Sequence, residues 1–188
     1  RQYISLARSF DADDAFSDEL GIMVTRLNAT LLVGALGKAA YPGVVETHTE
    51  ALCAAETGKI VVMGGITPGQ TTDAVAAVLA ERVQADLFIN LTAVDGIYSA
   101  DPRKDTSAKR YDVMTASELL GVVIGQQAVA GVNTVMDIVA VKMVERCGIP
   151  LLVMDGRDPT HLEKAIETGR YTGTLVSPDG KSPFPLQK

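Results

Sequence analysis

A glycine-rich segment between a predicted strand and a predicted helix, Gly64 to Asp73, is the first place where the sequence could do chemistry. Glycines let backbone amides approach an anion closely, and the amino end of a helix adds about half a positive charge. Thr71 and Thr72 bring hydroxyl groups to the same end, so the segment could hold a phosphate. The patterns GxxxxGK[ST] and GxGxxG do not occur in it. An ordinary strand-to-helix turn, with glycines for tight packing, explains the segment equally well.

A second polar segment, Asn90 to Pro102, follows the next predicted strand. A strong turn pair begins at Asp95, and a second bend closes the segment. The Tyr98 ring could stack on a base, and the Asp101 carboxylate could accept a hydrogen bond from a ribose hydroxyl or a base amine. Half-buried packing of Tyr98 is the alternative, and local chemistry favours it.

Strands and helices alternate along the chain, and the strands are continuously apolar. This combination predicts a mainly parallel sheet covered by helices on both faces. Predicted strands lie at 44–45, 59–63, 86–91, 151–154 and 174–176. Predicted helices lie at 19–36 with Ser17 as N-cap, 47–56, 71–84, 115–123, 135–147 and 159–168, with loops at 41–43 and 125–134. Ligands of such sheets bind beyond the carboxyl ends of strands, which here are followed by 64–70, 92–101 and 155–159.

The composition is that of an ordinary globular domain, with 47% hydrophobic and 21% charged residues among 188. A formal net charge of −6 gives no electrostatic reason to bind nucleic acid or anionic lipid, so we expect neither partner. The apolar runs are too short to cross a bilayer and no signal peptide is visible, which predicts a cytoplasmic protein. Cys53 and Cys147 are expected to be buried free thiols, and His48 and His161 surface residues.

Together, the two polar segments resemble the amino-acid-kinase family. The first reads Gly-Gly-x-x-Pro-Gly-x-Thr-Thr-Asp-Ala-Val-Ala-Ala, and further along comes Thr-x-Val-Asp-Gly-x-Tyr-x-Ala-Asp-Pro. The second element is shared across the family, whereas the Pro-Gly-x-Thr-Thr-Asp loop and segment 18–28 are similar to the archaeal-type UMP kinases. The resemblance spans 1–176 and implies an α/β fold, a three-layer α/β/α sandwich with a mainly parallel sheet as in carbamate kinase. We expect a single domain over 1–188, with a loose tail at 177–188.

The resemblance also implies roles for individual residues. Asp18 matches the acidic residue that binds the uridine ribose, and one loop matches the segment that holds UMP, chiefly its phosphate: Ile66, Thr67, Pro68, Gly69, Gln70, Thr71 and Thr72. Asp73 matches the aspartate that organises polar groups around the transferred phosphoryl, with Thr71 and Thr72 beside it as catalytic candidates. The positions that match ATP contacts are Arg1, Thr92, Ala93, Tyr98 and Asp101. UMP kinases commonly carry Asn at the position of Ala93, so we expect one polar contact to ATP to be lost.

The activity that the resemblance implies is transfer of the γ-phosphoryl group from Mg-ATP to UMP, with Mg²⁺ as cofactor and no dedicated metal ligands. The acceptor is already a phosphate dianion, so positioning and charge neutralisation suffice without a general base. Family members of this type assemble as hexamers, a trimer of dimers, and the 19–36 helix is a candidate dimer face. The family's Gly-Gly-Ser loop is not found, so we expect a further N-terminal segment upstream of Arg1.

Two alternatives remain open at the level of sequence. The chain could be another small-molecule kinase of the same fold, acting on an amino acid or on isopentenyl phosphate. It could also be a non-catalytic nucleotide-binding protein that keeps the fold without the first loop.

Overall fold

The computed structural model describes residues 2–102, 104–127, 136–181 and 183–184. Contacts within the chain divide it into two compact units, Arg1–Val83 and Gln84–Lys188. That the chain forms a single domain stays a prediction.

The first unit contains two parallel strands and four α-helices among its described residues. In chain order the elements are α1 (Gln2–Ser9), α2 (Asp14–Leu36), a 3₁₀ turn (Gly37–Ala39), β1 (Ala40–Val45), α3 (His48–Ala55), β2 (Ile60–Met63) and α4 (Thr72–Arg82). β1 pairs with β2 in parallel, with Val45 opposite Met63, and α2 packs on both strands. The predicted turn at 41–43 is wrong, because those residues lie within β1, where the register shifts between Ala40 and Val44.

The start of α2 differs from the prediction that Ser17 caps the helix. The N-cap is Asp13, whose side-chain Oδ1 accepts a hydrogen bond of 2.7 Å from the backbone N–H of Phe16. Ser17 therefore lies inside the helix, is buried, and its hydroxyl has no hydrogen-bond partner in the described part of the chain. Both residue types cap helices well, so sequence alone does not choose between them.

By length and composition, the segment Asp14–Ala39 meets the criteria for a helix that crosses a membrane, with a mean hydropathy of 1.5. The prediction that every apolar run is too short is wrong on this count. Core helices of globular domains and signal sequences near an N-terminus meet the same criteria, and 6% of this apolar stretch is buried. Here α2 packs against β1, β2 and α1, and three of its polar residues contact the loop that follows β2.

The second unit is built around a four-stranded sheet. Its described elements are β3 (Phe88–Thr92), β4 (Val113–Met114), α5 (Ala116–Gln127), α6 (Ile138–Cys147), β5 (Leu151–Asp155), α7 (Pro159–Thr168) and β6 (Gly173–Val176). The strand order is β3-β5-β6-β4, in which β3 with β5 and β4 with β6 are parallel and β5 with β6 antiparallel. The side chains of β5 and β6 are buried almost throughout, so they form the core. The prediction of mainly parallel strands is confirmed.

Several predicted boundaries in this unit shift. The loop predicted at 125–134 is wrong up to Gln127, because α5 continues to that residue, and the rest lies outside the described residues. The helix predicted from 135 begins at Ile138 with Asp137 as N-cap, whose Oδ1 accepts from Ala140 N–H at 2.9 Å. Both cysteines are free, but Cys53 is exposed and Cys147 half-exposed, so the prediction of buried thiols is wrong.

Candidate functional site

The loop between β2 and α4, residues 64–71, packs closely on α2. We call it the glycine-rich loop. A Cβ atom added at Gly64 would lie 2.8 Å from Cγ of Arg26 and 2.9 Å from Oγ1 of Thr25, and one at Gly65 would lie 3.0 Å from Ile22. The first two glycines are therefore explained by tight packing, the alternative that the sequence left open. Gly69 is different, because it has a φ of +77° and open space around it.

Two hydrogen bonds join Gly65 to α2. The Gly65 N–H donates to Oγ1 of Thr25 at 2.8 Å, and the Gly65 carbonyl accepts from Nε of Arg26 at 3.1 Å. The Arg26 guanidinium also donates to Oε2 of Glu46 at 2.7 Å, in the segment after β1. The start of the glycine-rich loop is thus fixed to the helix, and the Gly65 amide is already used within the protein.

The predicted ribose-binding carboxylate lies against the same loop. The N–H of Gly69 donates to Oδ2 of Asp18 at 2.8 Å, although the two residues are 51 positions apart in sequence. Both residues are exposed. The structure therefore brings Asp18 together with the segment predicted to hold a phosphate.

The amino end of α4 carries the predicted catalytic residues. Thr71 is the N-cap, and its Oγ1 accepts from Ala74 N–H at 3.1 Å. Thr72 and Asp73 follow in the first turn, with Thr72 exposed and Asp73 half-buried. A helix amino end with exposed threonine hydroxyls can bind an anion. The Thr71 hydroxyl oxygen accepts a hydrogen bond as the cap, and Thr72 carries a second exposed hydroxyl at the same helix end.

In the second unit, the loop between β3 and β4, residues 93–112, is held by charged side chains. We call it the turn-rich loop. The Tyr98 hydroxyl donates to Oδ1 of Asp95 at 2.8 Å, and the Arg110 guanidinium donates to Oδ2 of Asp95 at 3.0 Å and to Asp112 at 3.1 Å. Partial burial raises the pKa of Asp95, but hydrogen bonds from Tyr98, the backbone and Arg110 outweigh it, so the pKa lies below its ordinary value. The bond to Asp95 raises the pKa of Tyr98.

The turn-rich loop is also anchored to β6. The N–H of Ile97 donates to Oγ1 of Thr174 at 2.8 Å, and Thr174 donates in turn to the Tyr111 carbonyl. Gly96 has a φ of +144°, and a Cβ atom there would lie 2.7 Å from Oγ1 of Thr174. Only glycine fits this position without displacing a neighbour.

A cavity of about 740 Å³ opens between the turn-rich loop and α5. Of the residues predicted to contact ATP, Asp101 lines it, whereas Thr92, Ala93 and Tyr98 do not. Thr92 makes a local turn, its Oγ1 bonding to the backbone of Val94, and Ala93 is exposed. Apolar and charged side chains share the wall: Val113, Met114 and Val122, with Lys104, Asp105 and Glu118. Volumes of this order are typical of small-molecule sites.

An ion pair at the carboxyl end of β5 was not predicted. Nε of Arg157 donates to both carboxylate oxygens of Asp155, at 2.9 and 3.1 Å, and the backbone N–H of Arg157 donates to Oδ1 at 2.9 Å. These hydrogen bonds from Arg157 lower the pKa of Asp155 to about 2. Thr92, at the end of β3, lies opposite Asp155 in the sheet. The signal in the sequence was the Asp-Gly-Arg turn directly after a buried strand.

We expect Asp155→Asn to change the response of the protein to acid. The folded-state pKa of about 2 lies below the ordinary value of 3.8, so the ionised carboxylate stabilises the fold above about pH 4. That contribution is lost as the pH falls through about 2. Urea unfolding should therefore show a steeper loss of stability between pH 4 and pH 2 for the parent protein than for Asp155→Asn. Arg157→Met should flatten the same interval, and parallel curves for all three proteins would contradict the assignment.

Arg1, His48 and His161 were also named in the sequence analysis. Arg1 lies outside the described residues, so its role stays a prediction. His161 is exposed as predicted, but His48 is half-buried and its Nε2 lies 3.0 Å from the Val75 carbonyl, which corrects the prediction of a surface histidine. Within the described part of the chain, no group of three His, Cys, Asp or Glu side chains could hold a metal ion.

Parallel strands that end at a glycine-rich loop, with a helix amino end and a carboxylate beside it, define an α/β protein suited to a phosphorylated ligand. The pattern of the Amino acid kinase family matches residues 2–155, and the chain belongs to this family. It is 84% identical over 188 residues to the uridylate kinase of Methanospirillum hungatei, covering 100% of this chain and 80% of that protein.

Two further uridylate kinases are similar to this chain. The uridylate kinase of Methanoculleus marisnigri is 60% identical over 185 residues, covering 98% of this chain and 79% of that protein. The crystal structure of the uridylate kinase from Archaeoglobus fulgidus is 44% identical with a TM-score of 0.84, covering 94% of this chain and 79% of that one. The predicted family and fold class are confirmed.

Proposed function

We propose that this protein is a UMP kinase, which transfers the γ-phosphoryl group of ATP to UMP and releases UDP and ADP. The observation that carries the proposal is the bond from the Gly69 N–H to Asp18, because it places a carboxylate acceptor beside a loop suited to a phosphate. A nucleoside monophosphate needs both features, one for the ribose hydroxyls and one for the phosphate. The names of the relatives at 84% and 60% identity support the same activity.

The acceptor nucleotide is assigned to the first unit. The exposed carboxylate of Asp18 is suited to accept hydrogen bonds from ribose hydroxyls, each of which is worth about 1.5–3 kcal/mol when one partner is charged. The amino end of α4 and the residues Ile66–Thr72 would receive the phosphate. Asp73, in the first turn, would orient the donors around it rather than act as a base, because the acceptor oxygen already carries charge.

The donor nucleotide is assigned to the second unit. The cavity beside the turn-rich loop offers an apolar wall for a base, and Asp101 for a polar contact. Tyr98, Thr92 and Arg1 remain predicted contacts to ATP. The Tyr98 hydroxyl is engaged with Asp95, so a contact to the base would be made by the ring.

Magnesium is the cofactor we assign to ATP. In kinase sites this ion is usually held by phosphate oxygens and water with one or two carboxylates. When bound, the ion neutralises charge on the transferred group. The protein's own part is to hold both nucleotides, orient their phosphates and exclude water.

We also propose a homo-oligomer, a hexamer built as a trimer of dimers, working in the cytoplasm in pyrimidine nucleotide synthesis. Support for a dimer comes from α2, where Leu27 and Leu31 are 60% and 67% exposed and Met23 is 56% exposed. A contiguous exposed apolar face of this kind is typical of protein contacts. Light scattering on the Leu27→Glu, Leu31→Glu double variant should show a smaller species than the parent.

The activity is tested by coupled ADP release from the full-length protein with UMP, CMP and dUMP as acceptors. We expect UMP to be the best substrate. A panel that includes amino acids and isopentenyl phosphate separates the alternatives. Turnover of one of these acceptors without turnover of UMP would overturn the proposal. Binding of ATP without turnover of any acceptor would instead favour a non-catalytic nucleotide-binding protein.

A further inference from the structure

One face of α2 holds the glycine-rich loop at two separate points. Asp18, Ile22, Thr25 and Arg26 are spaced i, i+4, i+7 and i+8, so they lie on the same side of the helix. Asp18 contacts Gly69 near the far end of the loop, whereas Thr25 and Arg26 contact Gly65 at its start. Ile22 packs against Gly65 as well.

We propose that Thr25 and Arg26 are positioning residues for UMP, an inference that rests on the proposed function. Neither residue is among those predicted to touch the nucleotide. They act through Gly65, the residue directly before the segment assigned to UMP. Because Gly65 is held at both its N–H and its carbonyl, neither of the two peptide planes that flank it can rotate without breaking a hydrogen bond.

Thr25 has a defined place in this arrangement. Its hydroxyl donates to the Ile22 carbonyl at 2.8 Å within the helix, so the oxygen lone pairs are left to accept from Gly65. Removing the hydroxyl would leave the part-buried amide of Gly65 without its acceptor. Valine has the same shape as threonine but no hydroxyl, so Thr25→Val removes this bond together with the intrahelical bond to the Ile22 carbonyl.

Arg26 ties the glycine-rich loop to a second segment. Its Nε holds the Gly65 carbonyl and its Nη1 holds Glu46, directly after β1. β1 and β2 are adjacent and parallel, so both segments follow carboxyl ends of strands. The Arg26 side chain is 27% exposed and that of Glu46 58% exposed, so the pair is only partly shielded from water. The close approach of Arg26 to Gly64 explains why no side chain stands there.

Bound UMP would affect the attachment at Gly69 but not the attachment at Gly65. The carboxylate of Asp18 is assigned to the ribose, so bound UMP would compete with Gly69 for it. The bonds to Gly65 involve no group assigned to the ligand and would persist. The glycine-rich loop therefore stays attached at Gly65 when UMP binds, whereas Gly69 gives up its bond to Asp18. The fraction of molecules in which the loop is arranged to bind UMP then depends on Thr25 and Arg26.

The test compares Thr25→Val, Thr25→Ser and Arg26→Met in the full-length protein. Calorimetric titration with UMP and steady-state kinetics give the Kd for UMP and the KM for each substrate. We expect Thr25→Val to weaken UMP binding about 5- to 20-fold, Arg26→Met to weaken it by a similar factor, and the KM for ATP to change less than about twofold. Thr25→Ser should restore UMP binding, because it keeps the hydroxyl.

Thr30→Val is the matched control. Thr30 lies on the same helix, and its Oγ1 donates to the Arg26 carbonyl at 2.9 Å, so the change removes a helical hydroxyl without touching the loop. We expect its Kd for UMP to equal that of the parent. Unchanged UMP binding in Thr25→Val, or an equal rise in the KM values of UMP and ATP, would overturn the inference alone. A parent protein that neither binds nor phosphorylates UMP would overturn the proposed function as well.

Discussion

Gly96→Ala should lower the free energy of unfolding by about 2–6 kcal/mol, the sum of two parts. One part is backbone strain, because a φ of +144° is rarely adopted by residues with a side chain and costs about 1–3 kcal/mol. The other part is steric, since the new methyl group would lie 2.7 Å from Oγ1 of Thr174 and 2.8 Å from Cδ of Arg110. Overpacking of this kind costs about 1–3 kcal/mol. Urea unfolding of the purified variant measures the sum.

Gly43→Ala separates these two contributions. Gly43 has a φ of +146°, nearly that of Gly96, but a Cβ atom there would meet nothing within 4 Å. The difference between the two variants therefore reports the steric part alone, which we expect to be at least about 1 kcal/mol. Equal losses in the two variants would contradict the close contact of Gly96 with Thr174 and Arg110.

Gly96→Ala should also impair the binding of ATP. The clash falls on Arg110, which holds Asp95, and on Thr174, which holds Ile97, so both attachments of the turn-rich loop are disturbed. Asp101 lies a few residues further along that loop and lines the cavity assigned to the donor. We expect the Kd for ATP to rise by an order of magnitude or more under conditions in which the variant is folded. The Kd for UMP, measured in the same sample, serves as the internal reference.

The elements that the sequence predicts well are those with local signatures. The apolar run from Ile60 to Met63, the glycines after it and the threonine at position 71 define a strand, a loop and a helix start, and the structure contains all three. The glycine after Cys147 ends α6 in the left-handed conformation, as a C-cap glycine does. In each case the deciding forces act between residues close in sequence.

The features that were missed depend on distant partners. Strand β4 has only two residues and forms because β6 offers it backbone partners about sixty positions later in the chain. The sequence of the loop does not show that Gly64 is needed for close packing. The side chains that come close to it, Arg26 and Thr25, lie on a helix far upstream. The pairing of Asp95 with Arg110 likewise joins two turns. Residue types alone do not specify which of many carboxylates and guanidinium groups will meet.

The sequence also leaves two interpretations of Tyr98 open. Local chemistry of the sequence favours half-buried packing of Tyr98, whereas the family resemblance implies a contact with ATP. The side chain is half-buried with its hydroxyl on Asp95, which agrees with the first interpretation and leaves the ring face as the part that a base could use. The contact with ATP stays a prediction.

Asp18→Asn should reduce kcat/KM for UMP about 100-fold while leaving the KM for ATP within about twofold. The asparagine amide oxygen can still accept from the Gly69 N–H, so the glycine-rich loop should keep its arrangement. The charged acceptor for the ribose is lost, and charge-assisted hydrogen bonds contribute about 1.5–3 kcal/mol each. Asp14→Asn is the control, because it makes the same change in the first turn of α2 at a carboxylate that pairs with Arg8 on the surface.

Comparison of UMP with dUMP identifies the bond that is lost. If Asp18 accepts from the ribose 2′-hydroxyl, the parent protein should prefer UMP over dUMP, and Asp18→Asn should reduce that preference because the remaining acceptor is uncharged. The interaction energy between the substrate change and the protein change then measures a single contact, free of any general loss of activity. A preference that is the same in the parent and in Asp18→Asn would place the ribose elsewhere, and Asp18 would then serve only to hold Gly69.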